Sequence, residues 1–128
     1  MNILLDTCTF LWITQNAPDL SSTARVCFQD PTNSIYLSSI SVWEMMVKHA
    51  LGQLPLPDAP DRFVPAMRIG HAITPLPLEE EAALHLAKLP ELHKDPFDRM
   101  LVCQALVHGL ILLTPDEMIR QYPVRTIW

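Results

Sequence analysis

The fold is decided by the opening of the chain, where residues 3–7 read ILLDT, three apolar residues followed by an acid and a hydroxyl. A short apolar run that ends at polar residues predicts a buried strand. Further strands are predicted at IYLS (35–38), AIT (72–74) and LILL (110–113), with an edge strand over 124–127. Because these runs are largely apolar and do not alternate, they indicate a parallel sheet covered on both faces.

Helical segments are predicted between the strands. Ser21 and Ser22 are suitable caps for the second of them, and Gly52 and Gly109 are stop signals behind the third and sixth. The predicted helices span residues 10–14, 22–29, 41–51, 61–69, 78–89, 97–108 and 116–121. Strands that alternate with helices predict an α/β fold, in which ligands bind outside the carboxyl ends of the strands.

Composition is that of a globular chain and limits the function classes. The 128 residues suit one domain, 1–128, and 49% of them are apolar against 18% charged, which excludes a disordered chain. Three cysteines without a CxxC pair predict buried thiols in a reducing compartment. No signal-like start and no run of about 18 apolar residues is found. We therefore expect a soluble, cytoplasmic protein without a membrane segment.

The net charge of −5 gives no direct support for a nucleic-acid partner. Phosphate binding usually produces a basic surface. Net charge, however, governs solubility and long-range steering and does not describe a single cleft. A group of acids that holds divalent cations reverses the local field, so nucleic acid stays an open possibility.

Four acids fall where the predicted fold can bring them together. Asp6 and Asp116 each come at or just after the end of a strand, and Glu44 and Asp98 lie in the first or second turn of helices. Carboxylates that lie close together raise one another's pKa and weaken the fold. Divalent cations with oxygen ligands relieve this repulsion, and two ions about 3.5–4 Å apart can activate a water at a phosphodiester.

Asp6 and Glu44 each have a simpler structural interpretation. Asp6 can cap the helix that follows the first strand. Glu44 precedes Lys48 by four residues, which is the spacing of a solvated ion pair on a helix. Neither interpretation is excluded by the sequence.

The two later acids also lie at helix starts. Asp95 suits an N-cap with proline next to it, and this leaves Asp98 at N3, where Glu or Gln is usual. Thr114 and Glu117 have the spacing of a capping box, which predicts Thr114 as the N-cap. Asp116 then has no structural role beyond the helix dipole.

Four segments together make the chain similar to a known family. The segments are LLDT at 4–7, SVWE at 41–44, DPFDR at 95–99 and LTPD at 113–116. The chain resembles the PIN-domain nucleases, specifically the VapC-type toxins of bacterial toxin–antitoxin pairs. The resemblance implies a three-layer α/β/α fold with a parallel sheet of about five strands, Mg²⁺ or Mn²⁺ in an acidic pocket, and endonucleolytic cleavage of RNA. It also implies a cognate antitoxin and a homodimer.

The resemblance assigns roles to individual residues. The metal-binding and catalytic acids are Asp6, Glu44, Asp98 and Asp116. Thr114, Asp95, Arg99 and Lys48 would support them from outside the metal-binding set. Cys8 departs from the family pattern, since relatives commonly carry histidine there, and a thiol cannot replace an imidazole in acid–base work at neutral pH without strong activation.

Two other functions are compatible with parts of the pattern. A non-catalytic module of the same fold could bind RNA or a protein, but no member of the acid set is missing. A phosphotransfer domain of the receiver or phosphatase type would need a second acid beside Asp6, and residues 6–8 read DTC. The metal-dependent ribonuclease is therefore the preferred hypothesis.

Overall fold

The computed structural model describes all residues, 1–128, and has a five-stranded sheet at its centre. The strand order is β3-β2-β1-β4-β5, and each neighbouring pair is parallel. The strands are β1 (Asn2–Leu5), β2 (Ser34–Ser38), β3 (Thr74–Leu76), β4 (Ile111–Leu113) and β5 (Thr126–Ile127). Since β1 is the central strand, its carboxyl end lies between those of β2 and β4.

Helices connect the strands and cover the sheet. They are α1 (Thr7–Gln15), α2 (Ser22–Gln29), α3 (Ser39–Ala50), α4 (Pro60–Gly70), α5 (Glu80–Leu84) and α6 (Pro96–His108). Two 3₁₀ segments follow at His85–Lys88 and Ile119–Gln121. No helix is both long and apolar enough to cross a membrane.

Two hydrophobic cores lie on opposite faces of the sheet. Ile3 and Leu5 of β1 pack into one core with residues of α1, α2 and α4, whereas Leu4 between them packs into the other with residues of α6. Successive side chains of a strand point to opposite faces, so an apolar run such as 3–5 fills both cores at once. The predicted α/β/α layering of a parallel sheet is confirmed.

Two predicted boundaries differ from the structure because of local backbone chemistry. The first helix begins at Thr7 and not at residue 10, because Asp6 caps it directly at the end of β1. The third strand is β3 and not residues 72–74: Ala72 has φ +54° and forms a turn, so pairing starts two residues later. Pro75 is accommodated in β3 because this strand is at the edge of the sheet.

The predicted helix over 78–89 is divided in the structure. The α-helical part is α5, and the chain then tightens into the 3₁₀ segment His85–Lys88. The predicted helix over 116–121 is reduced to a turn and the 3₁₀ segment Ile119–Gln121. The second, fourth and sixth helices and the strands β1, β2 and β4 lie within two residues of their predicted bounds.

Candidate active site

Asp6 lies at the carboxyl end of the central strand, and both of its carboxylate oxygens accept hydrogen bonds. Oδ1 accepts a hydrogen bond from the Thr9 amide at 2.8 Å, and Oδ2 accepts one from the Thr114 hydroxyl at 2.5 Å. The side chain is buried. The helix-cap interpretation of Asp6 is thus confirmed, and the same contacts fix the acid at the edge of the sheet where ligands bind.

The end of β4 is joined to this site through two hydroxyl groups. Thr9 donates to the Leu113 carbonyl at 2.9 Å, and Thr114 donates to Asp6. The Thr114 oxygen also accepts from the Asp116 amide at 3.0 Å. Two adjacent strands therefore present Asp6 and Asp116 from a single hydrogen-bonded unit.

The predicted capping box at Thr114 is wrong. Asp116 performs the capping, since its Oδ1 accepts from the amides of Met118 at 2.8 Å and Ile119 at 3.0 Å. The Thr114 hydroxyl accepts from the Asp116 amide and donates to Asp6, and it makes no hydrogen bond with the Glu117 amide that a capping box requires. One oxygen of the Asp116 carboxylate remains without a hydrogen bond and is the one available to a ligand.

Glu44 comes from α3, which begins directly behind β2 and so brings its second turn toward the same edge. The Thr7 hydroxyl donates to Glu44 Oε1 at 2.6 Å, and Lys48 forms an ion pair with Oε2. Only 5% of Glu44 is exposed. The ion pair predicted with Lys48 is confirmed, but Glu44 is not solvated, and its burial beside Thr7 places it in the pocket.

Asp95 and Asp98 begin α6. Asp95 Oδ1 accepts from the amides of Phe97 at 2.9 Å and Asp98 at 3.1 Å, so the predicted N-cap with proline at N1 is confirmed. The Asp98 carboxylate is not needed for this cap. It lies partly buried, with 20% of its side chain exposed.

Two side chains behind Asp98, His93 and Tyr122, were not predicted from the sequence, although their neighbour Arg99 was predicted to support the acids. His93 Nε2 lies 3.4 Å from Asp98 Oδ2, and His93 Nδ1 lies 2.7 Å from the Tyr122 hydroxyl. Arg99 donates to the same hydroxyl at 3.1 Å. His93 belongs to a loop, and Tyr122 is 29 residues further on, so only the fold brings them together. Thr7 was likewise not assigned a role, although it adjoins Asp6.

Electrostatic interactions show that the acids share one environment. Burial, followed by the negative charges of Asp95, Asp116 and Glu44, raises the pKa of Asp98 to about 7, while the His93 contact opposes this increase. Burial, with a smaller effect of Asp116, also raises the pKa of Asp6. The four acids predicted from the sequence therefore do converge, and each additional negative charge makes ionisation of the others less favourable.

The donor set suits a hard divalent cation in its chemistry. All four side chains offer carboxylate oxygens, and the raised pKa values of Asp6 and Asp98 indicate that positive charge would be favourable between them. No three His, Cys, Asp or Glu side chains stand close enough together to enclose an ion as they are. Binding would therefore require the carboxylates to approach one another, as neutralisation of their repulsion allows.

Cys8 lies at the mouth of the pocket and does not supply acid–base chemistry there. Burial of the thiol, together with the negative charges of Asp6 and Glu44, raises the pKa of Cys8 to about 11. The thiolate is the reactive form of cysteine. At neutral pH Cys8 is consequently a neutral, weakly reactive side chain among the acids.

An apolar groove whose lining contains none of the acids lies between α3, α4 and β3. Its volume is about 630 Å³, and its apolar lining includes Trp43, Met46 and Val64. Trp43 is 57% exposed and packs edge-on against Phe97 at 5.1 Å between ring centroids. Trp12 and Trp128 pack together at 5.7 Å between ring centroids and lie against the hydrophobic core. Trp43 instead forms an apolar surface.

A parallel α/β sheet with an acidic pocket at its carboxyl edge defines the class of protein to which this chain belongs. The family model of the PIN domain matches residues 3–124, and the chain therefore belongs to the PIN domain family.

Particular relatives make the comparison more specific. Ribonuclease VapC16 of Mycobacterium tuberculosis (strain ATCC 25618 / H37Rv) is 33% identical over 69 residues, which are 54% of this chain and 49% of that protein. The chain thus spans about half the length of this curated relative in the match.

Solved structures share the fold over nearly the whole chain. VapBC2 from Rickettsia felis, solved with a DNA fragment from its promoter, matches with a TM-score of 0.75, 13% identity and coverage of 99% of this chain and 98% of that one. VapBC-1 from nontypeable Haemophilus influenzae matches with a TM-score of 0.65, 20% identity and coverage of 99% and 97%. At these identities the likeness concerns the fold alone.

Proposed function

We propose that the chain is a Mg²⁺- or Mn²⁺-dependent endoribonuclease that acts as the toxin of a toxin–antitoxin pair. The observation that carries the proposal is the convergence of Asp6, Glu44, Asp98 and Asp116 at one edge of the sheet, where the pKa values of Asp6 and Asp98 are raised. Membership of the PIN domain family and the similarity to a ribonuclease support it.

The four acids would have different roles in the site, which follow from their hydrogen bonds. Asp6 and Asp98 would hold the principal cation, because both are partly or fully buried and neither forms an ion pair with a lysine or an arginine. Glu44 is paired with Lys48, so it would complete the site or position a water. Asp116 retains one free oxygen beside Asp6 and would help with a second ion. Thr114 and Thr9 keep Asp6 in place.

The reaction is hydrolysis of an RNA phosphodiester. A bound divalent cation supplies activation of a water and stabilisation of the negative charge on the phosphate and the leaving oxygen. The water gives up a proton to the solvent as its oxygen forms a bond to phosphorus. The bond from phosphorus to the leaving oxygen breaks, and that oxygen takes up a proton from the solvent. The carboxylates of this chain orient the water for the attack. Lys48 lies beside Glu44 with 42% of its side chain exposed, and its charge has the sign that attracts RNA phosphate.

The decisive experiment measures RNA cleavage with and without Mn²⁺ for the wild type and for Asp98→Asn. The matched control is Asp61→Asn, the same change at an exposed acid in the first turn of α4. We expect metal-dependent cleavage by the wild type and the control, and a loss of at least about 100-fold in Asp98→Asn, since a metal ligand contributes several kcal/mol to the transition state. Cleavage without metal, or full activity of Asp98→Asn, would contradict the mechanism.

A non-catalytic RNA-binding or interaction module is the second candidate. The observation that favours it is the lack of three metal-binding side chains already in contact distance of one ion. The same experiment separates the two functions, because such a module would bind RNA at saturating Mn²⁺ and leave it intact.

An antitoxin and a second copy of the chain are part of the proposal. The apolar groove with the exposed Trp43 offers the kind of surface that proteins use for association. Co-expression with the product of a small reading frame next to the gene should yield a stable complex and suppress cleavage. Size-exclusion chromatography with light scattering should give twice the mass of 14.5 kDa for the isolated chain. A monomer that no neighbouring gene product inhibits would contradict this part.

A further inference from the structure

The Tyr122 hydroxyl is the centre of a hydrogen-bond network behind the acidic pocket. It lies within reach of two donors, the Arg99 guanidinium at 3.1 Å and the His93 amide at 3.3 Å. Tyr122 is 3% exposed, so water does not compete for these bonds. A hydroxyl that accepts from two donors still has its own proton to give.

The acceptor for the Tyr122 hydroxyl proton is His93 Nδ1, which lies 2.7 Å from the Tyr122 oxygen. Because Nδ1 accepts this hydrogen bond, the neutral imidazole carries its proton on Nε2. Nε2 faces the Asp98 carboxylate, 3.4 Å from Oδ2. The phenol thus selects the tautomer of His93 that donates toward the acid.

Arg99 also contacts the backbone of the loop that carries His93. Its Nη1 donates to the Pro90 carbonyl at 2.9 Å and approaches the His93 carbonyl at 3.4 Å. The loop that carries His93 is therefore tied to α6, the helix that carries Asp98. The rings of His93 and Tyr122 also pack at 5.4 Å between centroids.

We propose that His93 is a positioning residue, which the Tyr122 hydroxyl locks in its Nε2-protonated form so that it orients the Asp98 carboxylate for a divalent cation. This inference rests on the proposed metal-dependent function. Oxygen ligands of metals are commonly held by a hydrogen bond of this kind, and its loss costs about 10- to 100-fold in metal affinity. With Oδ2 engaged by His93, the other Asp98 oxygen would be left to bind the cation.

The test compares two replacements of His93, one that can still contact Asp98 and one that can contact only Tyr122. The glutamine in His93→Gln places an amide nitrogen as many bonds from the backbone as Nε2, so it can still donate to Asp98. The asparagine in His93→Asn reaches only as far as Nδ1, so it can contact Tyr122 but not Asp98. Tyr122→Phe removes the hydroxyl and keeps the buried ring.

Mn²⁺ affinity is measured by titration calorimetry at constant pH, beside thermal unfolding without metal and the rate of RNA cleavage. We expect about 10-fold weaker Mn²⁺ binding in His93→Asn, restoration toward the wild-type value in His93→Gln, and an intermediate loss in Tyr122→Phe. Cleavage at limiting Mn²⁺ should follow the same order.

Equal Mn²⁺ affinity in His93→Asn and the wild type would overturn the inference and leave the proposed function intact. A lower melting temperature of all three variants with unchanged affinity would also overturn it, since it would assign the network to anchoring the loop alone. The wild type and Asp98→Asn serve as references. If the wild type binds no Mn²⁺, or if Asp98→Asn binds it equally well, the proposed metal site fails together with the inference.

Discussion

Burial and the negative charges of neighbouring acids raise the pKa of the Asp98 carboxyl to about 7. In the unfolded chain the ordinary value of 3.8 returns. Between these two pH values the folded state binds more protons than the unfolded state. The contribution of Asp98 to the free energy of unfolding therefore decreases as the pH rises from about 4 through 7.

Asp98→Asn should remove this pH-dependent loss of stability. In the absence of metal we expect the variant to be more stable than the wild type at pH 8, by on the order of 2 kcal/mol after allowance for solvent screening. At pH 4 the difference should largely vanish. Urea unfolding in chelator at both pH values measures it, with Asp61→Asn as the reference. A gain of equal size at both pH values would show that relief of charge is not the cause.

Cys8 should be dispensable for cleavage. The raised pKa of its thiol, about 11, keeps it neutral at the pH of the reaction. We expect Cys8→Ser to retain activity within about twofold, because neither side chain ionises there. Alkylation of Cys8 by iodoacetamide should accelerate with pH up to and beyond 10, whereas Cys27 and Cys103 are buried and should react only on unfolding. Rapid alkylation at pH 7 would contradict the raised pKa.

At the level of elements, the start of α6 combines a helix cap with an electrostatic effect on the site. Asp95 accepts two amide hydrogen bonds, and its charge raises the pKa of Asp98. Asparagine caps helices as well as aspartate does, whereas alanine does not. Two variants of one residue can thus separate the cap from the charge.

Asp95→Ala should cost about 1 kcal/mol of stability, and Asp95→Asn should cost little. Both should lower the pKa of Asp98, because both remove the negative charge of Asp95. Chemical unfolding gives the first quantity, and the side-chain carboxyl resonance of Asp98 followed by NMR gives the second. If only the alanine variant shifted the pKa of Asp98, the shift would have to come from disturbance of the helix and not from charge.

Local sequence patterns predicted the start and end of a helix correctly where the residue concerned contacts only its neighbours in the chain. Gly109, at φ +67°, ends α6 as expected, and Asp95 caps it. The capping box predicted at Thr114 was wrong because Asp116 caps the following turn, and the contact of the Thr114 hydroxyl with Asp6, 108 residues earlier in the chain, has no local signal. The contacts of His93 were not predicted for the same reason, since its partner Tyr122 comes from another part of the chain.

The acid set was predictable because strand ends are visible in the sequence. Asp6 follows an apolar run, and the carboxyl ends of parallel strands share one edge of the sheet. Glu44 was harder to interpret, since its spacing to Lys48 describes a surface ion pair equally well. Its burial depends on how α3 packs behind β2, which only the tertiary structure shows. Whether these acids bind metal stays a prediction.

For the whole molecule, the site is a concentration of negative charge within a chain of net charge −5. A divalent cation that binds only the folded state stabilises it by about 2.7 kcal/mol at 100 times its Kd. For a chain of this length such a gain raises the melting temperature on the order of 10 °C. The increase should be larger at pH 8 than at pH 6, because protons compete with the cation for Asp98.

Thermal unfolding in MgCl₂ against NaCl of equal ionic strength measures this effect, and the salt control accounts for general screening of the acids. Asp61→Asn should shift as the wild type does, and Asp98→Asn should shift much less. An equal response to both salts, or an undiminished response in Asp98→Asn, would mean that the carboxylates act as separate helix caps and surface charges. A response confined to Mg²⁺ and to chains that keep Asp98 would instead show one shared site, in which the stability lost to mutual repulsion is recovered when the cation binds.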